Sequence, residues 1–232
     1  MRIVSWNCQQ GFKKKKGALA ALKPDIAVLC EAPLTNPFEA SLLDGPVSWH
    51  SAGSVPNKGL AVAGFHEELQ FEAARSPSCR WGVAVSRQDG PGVLGVWSVP
   101  LPGQRYGQEV LGIIDSHADW IAGGGVIVAG DFNIDANGVG NGARGAVLFA
   151  EIIRRLAELG LVSAYHSWNG EAFGEESAMT HYQQRWPDRG FHIDYCFIPK
   201  EWHTAVRAVV VGAPEQWLQH SDHMPILVDL AI

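Results

Sequence analysis

The chain has 232 residues, 47 % hydrophobic and 18 % charged, which excludes a disordered or fibrous protein and leaves room for one large domain or two small ones. Its formal net charge of −6 excludes binding of nucleic acid by bulk attraction, so an anionic partner must be held by a local patch or through a metal ion. No apolar run is long enough to span a bilayer, and the N-terminus enters a strand pattern without the apolar segment of a secretion signal. A cytoplasmic protein without a membrane partner is expected, and nothing in the sequence identifies a protein partner.

Residues 2–6 predict a first strand that ends on Asn7. A turn-like stretch, Cys8-Gln9-Gln10-Gly11-Phe12, leads into a helix predicted over 13–22. Lys23-Pro24-Asp25 ends that helix, because proline lacks an amide donor and restricts the residue before it. Residues 26–30 read as a second, fully buried strand that delivers Glu31 at its carboxyl end, and strand–helix–strand at this spacing fits a βαβ crossover. Residues 33–56 read as irregular. Residues 60–65, 69–73, 81–86 and 93–99 read as short strands separated by turn residues, the pattern of hairpins in a largely antiparallel sheet.

A helix is predicted over 104–122. After it comes the stretch most informative about function, Gly124-Gly125-Val126-Ile127-Val128-Ala129-Gly130-Asp131-Phe132-Asn133. It opens on a glycine turn, runs through a strand buried on both faces, and stops at an acid and an amide two positions apart. Residues two apart on an extended chain share a side, so Asp131 and Asn133 are expected to project together from the strand's carboxyl end, where open α/β sheets bind ligands. A second good helix is predicted over 143–159, with Gly160 just past its end, and strands over 191–198, 205–211 and 225–232 complete the set. No internal repeat or linker divides the chain, so a single domain over 1–232 is expected. Cys8, Cys30, Cys79 and Cys196 are spaced singly and read as small buried hydrophobes rather than a metal cluster.

Four apolar strands finish in polar residues: Trp6-Asn7, Cys30-Glu31, Asp131-Phe132-Asn133 and His192-Ile193-Asp194-Tyr195. A fifth cluster, Ser221-Asp222-His223, immediately precedes the last strand. One carboxylate at a strand end is usually just solvated; five such clusters are harder to dismiss. Converging carboxylates favour a hard divalent cation, Mg²⁺ or Mn²⁺, over zinc. Asp222 and His223 are chain neighbours and should face opposite ways, Asp222 toward a metal and His223 toward a reacting phosphorus. A histidine in such a role needs its second nitrogen held, and Asp194 is the available acid. A buried histidine satisfied by a structural acid explains the same spacing equally well.

Together, Trp6-Asn7, Glu31, Gly130-Asp131-Phe132-Asn133, Ile193-Asp194-Tyr195 and Ser221-Asp222-His223 resemble, in that order, the endonuclease/exonuclease/phosphatase superfamily of deoxyribonuclease I, exonuclease III, apurinic endonucleases, inositol polyphosphate 5-phosphatases and sphingomyelinases. The motifs span residues 6–223. The resemblance implies an α/β fold, a four-layer sandwich of two mixed β-sheets packed face to face with helices outside. It implies Glu31 as a metal ligand with Asn7 beside it, and Asp222 as a ligand of a second metal. Asp131 would orient or deprotonate the attacking water and Asn133 would hold a phosphate oxygen. His223, paired with Asp194, would be the base or the group that stabilises the phosphorane.

The chain departs from the pattern in one place. Family members carry a tyrosine or a histidine at the end of the strand before the mid-chain helix, where this sequence has Ser98 and Val99. Ser98 can still give a hydrogen bond to substrate, but leaving-group assistance must come from metal-bound water or from a residue elsewhere, such as Tyr106 or His181.

For the substrate, the run Lys13-Lys14-Lys15-Lys16 beside the first motif reads either as a clamp on a phosphate backbone or as a solvated helix face. Lys58 and Arg185 are expected in loops bordering the site. Trp49, Trp168 and Trp186 are assigned to loops, where exposed aromatics can stack on bases, although tryptophan packed in a core is the commoner case. The leading expectation is a divalent-metal-dependent phosphodiesterase acting on nucleic acid. The alternatives are a phosphatase of a small phosphorylated metabolite or lipid headgroup, and a binding module on the same scaffold.

Overall fold

The apolar runs of the sequence become the central strands of two mixed six-stranded sheets, in a computed structural model that describes residues 1–38, 45–74, 81–87, 90–139 and 141–232. The first sheet contains β1 (Arg2–Asn7), β2 (Ile26–Ala32), β3 (Ser48–Val55), β4 (Lys58–Gly64), β13 (Val206–Val211) and β14 (Ile226–Leu230), in the order β13-β14-β1-β2-β4-β3. The second contains β5 (Glu72–Ala73), β6 (Gly82–Ser86), β7 (Gly92–Trp97), β8 (Val126–Asp131), β9 (Leu161–Ser163) and β12 (Asp194–Pro199), in the order β5-β6-β7-β8-β12-β9. A small separate ladder joins β10 (His181–Tyr182) to β11 (Gly190–Phe191).

Period-two alternation decides which sheet face each residue serves. In β2, Ile26, Val28 and Cys30 point into the layer between the sheets, while Ala27 and Leu29 point to the outer face with Val4 and Trp6 of β1. Strands β1, β2 and β4 meet β7, β8 and β12 across the central layer. The outer face of the first sheet is closed by Phe12, Leu19 and Trp217, from the segments around α1 (Lys16–Ala21) and α6 (Pro214–Trp217). Val110, Ile114, Phe149 and Ile152 of α2 (Gln108–Ser116) and α4 (Ala143–Glu158) belong to the main core cluster, with α2 packed against β7 and α4 against β9. The expected sandwich of two mixed sheets with helices outside is the fold that forms. Two parallel crossovers organise it, β1–α1–β2 and β7–α2–α3–β8, where α3 is Ala118–Ala122.

Several expectations need correction. The span 33–56 contains β3, which pairs antiparallel with β4, so Trp49 is a strand residue packed near Phe12 rather than a loop aromatic; residues 39–44 lie outside the described set. Cys79 lies outside it too, whereas Cys8, Cys30 and Cys196 are free and buried as expected. The helix predicted over 13–22 is a 3-10 turn (Phe12–Lys14) followed by α1, and the break falls at Lys15, whose Nζ reaches back to the Cys8 carbonyl at 2.5 Å. The helix predicted over 104–122 starts at Gln108 and divides at His117, whose Nδ1 lies 2.7 Å from the Ile113 carbonyl and takes an acceptor from the helical ladder. The strand predicted over 69–73 shrinks to β5 because 67–69 is a 3-10 turn. The strand predicted over 191–198 divides because Gly190–Phe191 pairs with β10 while Asp194 onward pairs with β8. Gly160 does hold the left-handed position after α4, at φ 82°.

At Gly130, φ is 141° and a Cβ would sit 1.8 Å from the Val96 carbonyl of the parallel neighbour. No shift of a side chain relieves a clash with backbone. Gly130→Ala is therefore expected to destabilise the protein by about 3 kcal/mol, read as a drop in the urea midpoint at unchanged m-value.

Candidate active site

Chemistry-bearing residues gather where β1, β2 and β8 end and β12 begins. Asn7, Glu31, Asp131, Asn133, Asp222 and His223 all line one cleft of about 410 Å³, together with Gln9, Gln10, Lys58, Ser98, Tyr106 and His181. A larger cavity of about 820 Å³, around Met1, His66 and Trp202, contains none of the expected site residues.

Asp131 is the last residue of β8 and lies directly across the ladder from Asp194 of β12. Both are buried. The Asp131 carboxylate accepts Asn7 Nδ2 at 2.9 Å, the Asn133 backbone N–H at 2.9 Å and Asn133 Nδ2 at 2.9 Å. Asn133 reaches it by a route other than the one expected: the chain is not extended there but turns left-handed, with Asn133 at φ 52°, folding its amide back onto the acid two residues earlier. Burial pushes the Asp131 carboxyl up to about 7; the Asp194 charge pushes the same way, and His223 and the Asn7 hydrogen bond oppose it.

His223 Nδ1 pairs with Asp194 Oδ2 at 2.8 Å, which leaves Nε2 for a ligand in the cleft. Burial alone would lower this imidazole, but the Asp194 and Asp131 carboxylates outweigh it and raise it to about 9. The surrounding motif residues set the backbone. Trp6 Nε1 donates to the His223 carbonyl at 3.0 Å, and Ser221 Oγ donates to the Asn7 carbonyl at 2.7 Å while accepting the His223 N–H at 3.1 Å. Thr180 Oγ1 accepts the N–H groups of both Ile193 and Asp194 at 3.0 Å, so a third segment fixes the acid.

Two groups of side chains have the makings of a cation site: Asp131 with Asp194 and His223, and Asp222 with His181 and His223, the ligand atoms of each group lying within 4.8 Å of one another. Residues 180–182 run antiparallel to 222–224, which brings His181 beside His223 with ring centroids 4.4 Å apart. Asp222 Oδ1 and Asp194 Oδ1 are buried oxygens without a hydrogen-bond partner, a state that a bound cation relieves, so the donor set fits a divalent ion. Asp222 Oδ2 accepts Gln9 Nε2 at 2.7 Å. Glu31 lines the same cleft but belongs to neither group; it sits at a bulge in β2 with φ 55°, and its carboxylate meets Gln10 Nε2 at 3.2 Å and Lys58 Nζ at 3.8 Å. Both ends of the Asn7 amide are engaged, Nδ2 by Asp131 and Oδ1 by the Gln9 N–H at 3.0 Å.

The substrate-side residues divide. Lys58 stands over the Trp97 ring at 5.8 Å on the cleft wall, at the start of β4 rather than in a loop. Ser98 is fully buried and its Oγ accepts the Gly107 N–H at 3.2 Å, while its carbonyl accepts Asn133 Nδ2 at 3.1 Å. Lys13 and Lys14 are exposed and do not line the cleft. Lys15 and Lys16 are struts that donate to the carbonyls of Cys8 and Pro37, so half of the lysine run serves the fold. Arg185 also lies outside the lining but donates to Gln9 Oε1 at 2.5 Å, linking it through Gln9 to Asp222. Trp186 is exposed on the same hairpin with the Arg189 guanidinium at 5.5 Å over its ring, and Trp168 is exposed on the short helix α5 (Ala164–Asn169) rather than in a loop. Sequence reasoning missed the roles of Gln9, Gln10 and Thr180. Three consecutive left-handed residues, Gln9, Gln10 and Gly11, aim the two amides, and no periodicity announces such a turn.

A sandwich of two mixed sheets with acids, amides and a carboxylate-held histidine at one end defines a phosphoesterase-type scaffold. The chain belongs to the Endonuclease/Exonuclease/phosphatase family, whose model matches residues 4–223. Among solved structures, the fold is similar to that of the 3′ phosphatase NExo from Neisseria bound to a product DNA hairpin (18 % identity, TM-score 0.74, all of both chains covered). It is similar also to an AP endonuclease from Archaeoglobus fulgidus (15 % identity, TM-score 0.74, all of both chains). The AP endonuclease LMAP from Leishmania major is a third such structure (15 % identity, TM-score 0.72, 98 % of this chain and 86 % of that one). At these identities the likeness is one of fold. No curated protein matches the sequence.

The ion pair makes a checkable prediction. An unfolded imidazole titrates near 6.5 and the folded His223 near about 9, so the pair's contribution to stability is complete below pH 6.5 and is lost as pH rises through 9. In the metal-free protein, the His223 ring should remain protonated at pH 7.5 by ¹⁵N NMR. Asp194→Asn should lower its titration, since burial stays while the largest opposing charge and its hydrogen bond are removed.

Proposed function

We propose that the chain, acting as one domain over residues 1–232, is a divalent-metal-dependent phosphodiesterase of nucleic acid. The observation that carries this reading is the buried set Asp131–Asp194–His223 opening onto a cleft where Asp222 keeps an unpartnered carboxylate oxygen. Family membership supports the reaction class. The three solved structures, named for a 3′ phosphatase and two AP endonucleases, support the choice of substrate.

In this reading Asp131, raised to about 7, accepts the proton of the attacking water near neutral pH. Asn133 stands beside the phosphate oxygens and orients Asp131, its two amide N–H groups being given to Asp131 Oδ2 and to the Ser98 carbonyl. His223, held by Asp194 and protonated up to about 9, places a charged N–H at the oxygen where negative charge grows. Glu31, with Asn7 beside it, and Asp222 would hold Mg²⁺ or Mn²⁺, Glu31 from the same cleft although outside the two converging groups. When bound, that ion polarises the phosphoryl group and offsets the charge of the departing oxygen. Lys13, Lys14, Lys58 and Arg185 are the cations that meet the phosphate backbone, with Trp186 available to stack on a base; Ser98 is kept as a backbone-side support of Asn133. No described helix is long and apolar enough to cross a membrane. The cytoplasmic setting expected from the sequence is part of this proposal.

The test is a panel of plasmid, single-stranded DNA, RNA, an abasic duplex and a phosphomonoester, each with Mg²⁺, Mn²⁺ or EDTA. Cutting of a nucleic acid only with metal is expected, and Asp131→Ala or His223→Ala should lower kcat by about 10²–10⁴-fold. Turnover of the phosphomonoester alone would transfer the protein to the small-phosphoester class, and metal-independent binding without any turnover would make it a binding module. Replacing Lys13 and Lys14 together by Ala should make the salt dependence of DNA affinity shallower by about 1.4–1.8 in log–log slope, with phosphomonoester turnover unchanged.

A further inference from the structure

The strand that precedes the mid-chain helix offers the cleft no aromatic hydroxyl or imidazole, because Ser98 is fully buried and its hydroxyl is turned to the Gly107 N–H. The same hydrogen bond shows what the serine does instead. Its acceptor pins the corner between β7 and α2, and the residue just before the pinned amide is Tyr106. This side chain is 39 % exposed and lines the cleft with Trp97, Ser98 and Asn133.

The backbone that carries this aromatic is fixed on both sides. Gly107 holds φ 90°, a conformation natural only to glycine, and a Cβ there would meet Ile134 at 2.8 Å and Leu148 at 3.0 Å, so the corner is packed directly onto the core. Asn141 Nδ2 donates to the Tyr106 carbonyl at 3.3 Å. On the other side, the Arg105 N–H donates to Gln108 Oε1 at 2.9 Å, which closes the first turn of α2 around the same residue. The backbone of Tyr106 is thereby fixed by contacts on both of its neighbours and on itself. Its phenol is the solvent-facing part. Asn133 Nδ2 is tied to the Ser98 carbonyl, so the phenol and the Asn133 amide rise from one connected piece of structure. His181, the other candidate, belongs to a different wall: its ring lies tilted against that of His223, centroids 4.4 Å apart, and its Nε2 is 3.9 Å from Asp222.

We propose that Tyr106 supplies the hydroxyl that the strand lacks, donating a hydrogen bond to a non-bridging oxygen of the phosphate bound beside Asn133, and that Ser98 is a positioning residue acting through it. This inference deepens the phosphodiesterase reading and rests on it. Ser98 and Tyr106 then form one device in two parts, a buried acceptor that sets the corner and an exposed donor that meets the substrate.

The test uses the full chain with Mg²⁺ and an oligonucleotide carrying one phosphorothioate, as separate Rp and Sp diastereomers, alongside the ordinary diester. Tyr106→Phe should keep the wild-type melting temperature and lose about 10–100-fold in kcat/KM. It should also shrink the preference between the two diastereomers, a signature that a purely structural tyrosine would not give. Ser98→Ala should cause a smaller loss that disappears in the Tyr106→Phe background, since both changes remove one interaction. Unchanged kcat/KM and diastereomer preference in Tyr106→Phe would overturn the proposal while leaving the enzyme reading intact. If the wild type turns over no diester, that reading fails instead, and inorganic phosphate binding followed by ³¹P NMR decides the role of Tyr106. About 10-fold weaker binding in Tyr106→Phe upholds the phosphate contact, and equal binding overturns it.

Discussion

The structure depends on one unfavourable juxtaposition and its remedy. The register of β8 against β12 places Asp131 opposite Asp194, two buried acids at the same rung of an antiparallel ladder. Like charges so placed repel, and burial removes the water that would screen them. His223 supplies the missing positive charge from a separate segment, 2.8 Å from Asp194. Its backbone is held in turn by Trp6 and Ser221. The two sheets therefore meet at a polar end whose electrostatics close only when all three residues are present. The same arrangement pushes the Asp131 carboxyl up to about 7 and the His223 imidazole up to about 9, the separation on which the proposed division of roles rests.

Strain concentrates in the same place. Gln9, Gln10, Glu31 and Asn133 all take left-handed backbone conformations and all line the cleft, at a cost of about 1–3 kcal/mol each. Each turn aims a side chain that an extended strand end would have sent elsewhere. Glu31 is redirected by a bulge, Asn133 folds back on Asp131, and Gln9 and Gln10 lay their amides on Asp222 and Glu31. The deep core provides the rigidity against which these turns are held, and Lys15 braces the glutamine turn from behind through the carbonyls of Cys8 and Gln9.

This division explains what was legible in the sequence. Strands buried on both faces announce themselves as unbroken apolar runs, so β1, β2, β8 and the polar residues at their ends could be read directly. Asn7, Glu31, Asp131 and Asn133 stand at or just past those ends, whereas Asp222 and His223 precede β14 and were joined to them by the family resemblance. Edge strands such as β3 carry exposed polar residues and resemble loops, which is why Trp49 was misplaced. Local hydrogen bonds that interrupt a helix, at Lys15 and His117, leave no trace in periodicity. The lysine run looked uniform although Lys15 and Lys16 answer to carbonyls and Lys13 and Lys14 to solvent. Gln9 and Thr180 were invisible for the same reason: their importance lies in what they touch, at separations of 213 and 14 residues.

The pairing of β1 with both β2 and β14 carries a consequence for how the molecule comes into being. Residues 2–5 are zipped to residues 226–229, and Asn7 receives the hydroxyl of Ser221. During synthesis the first strand can find β2 early, yet its other edge stays bare until more than two hundred further residues have been made. Asp222 and His223 emerge from the ribosome in that same late interval. Asp131 and Asp194 therefore precede in the chain the imidazolium that reconciles them, and the strand that completes the first sheet follows directly after it.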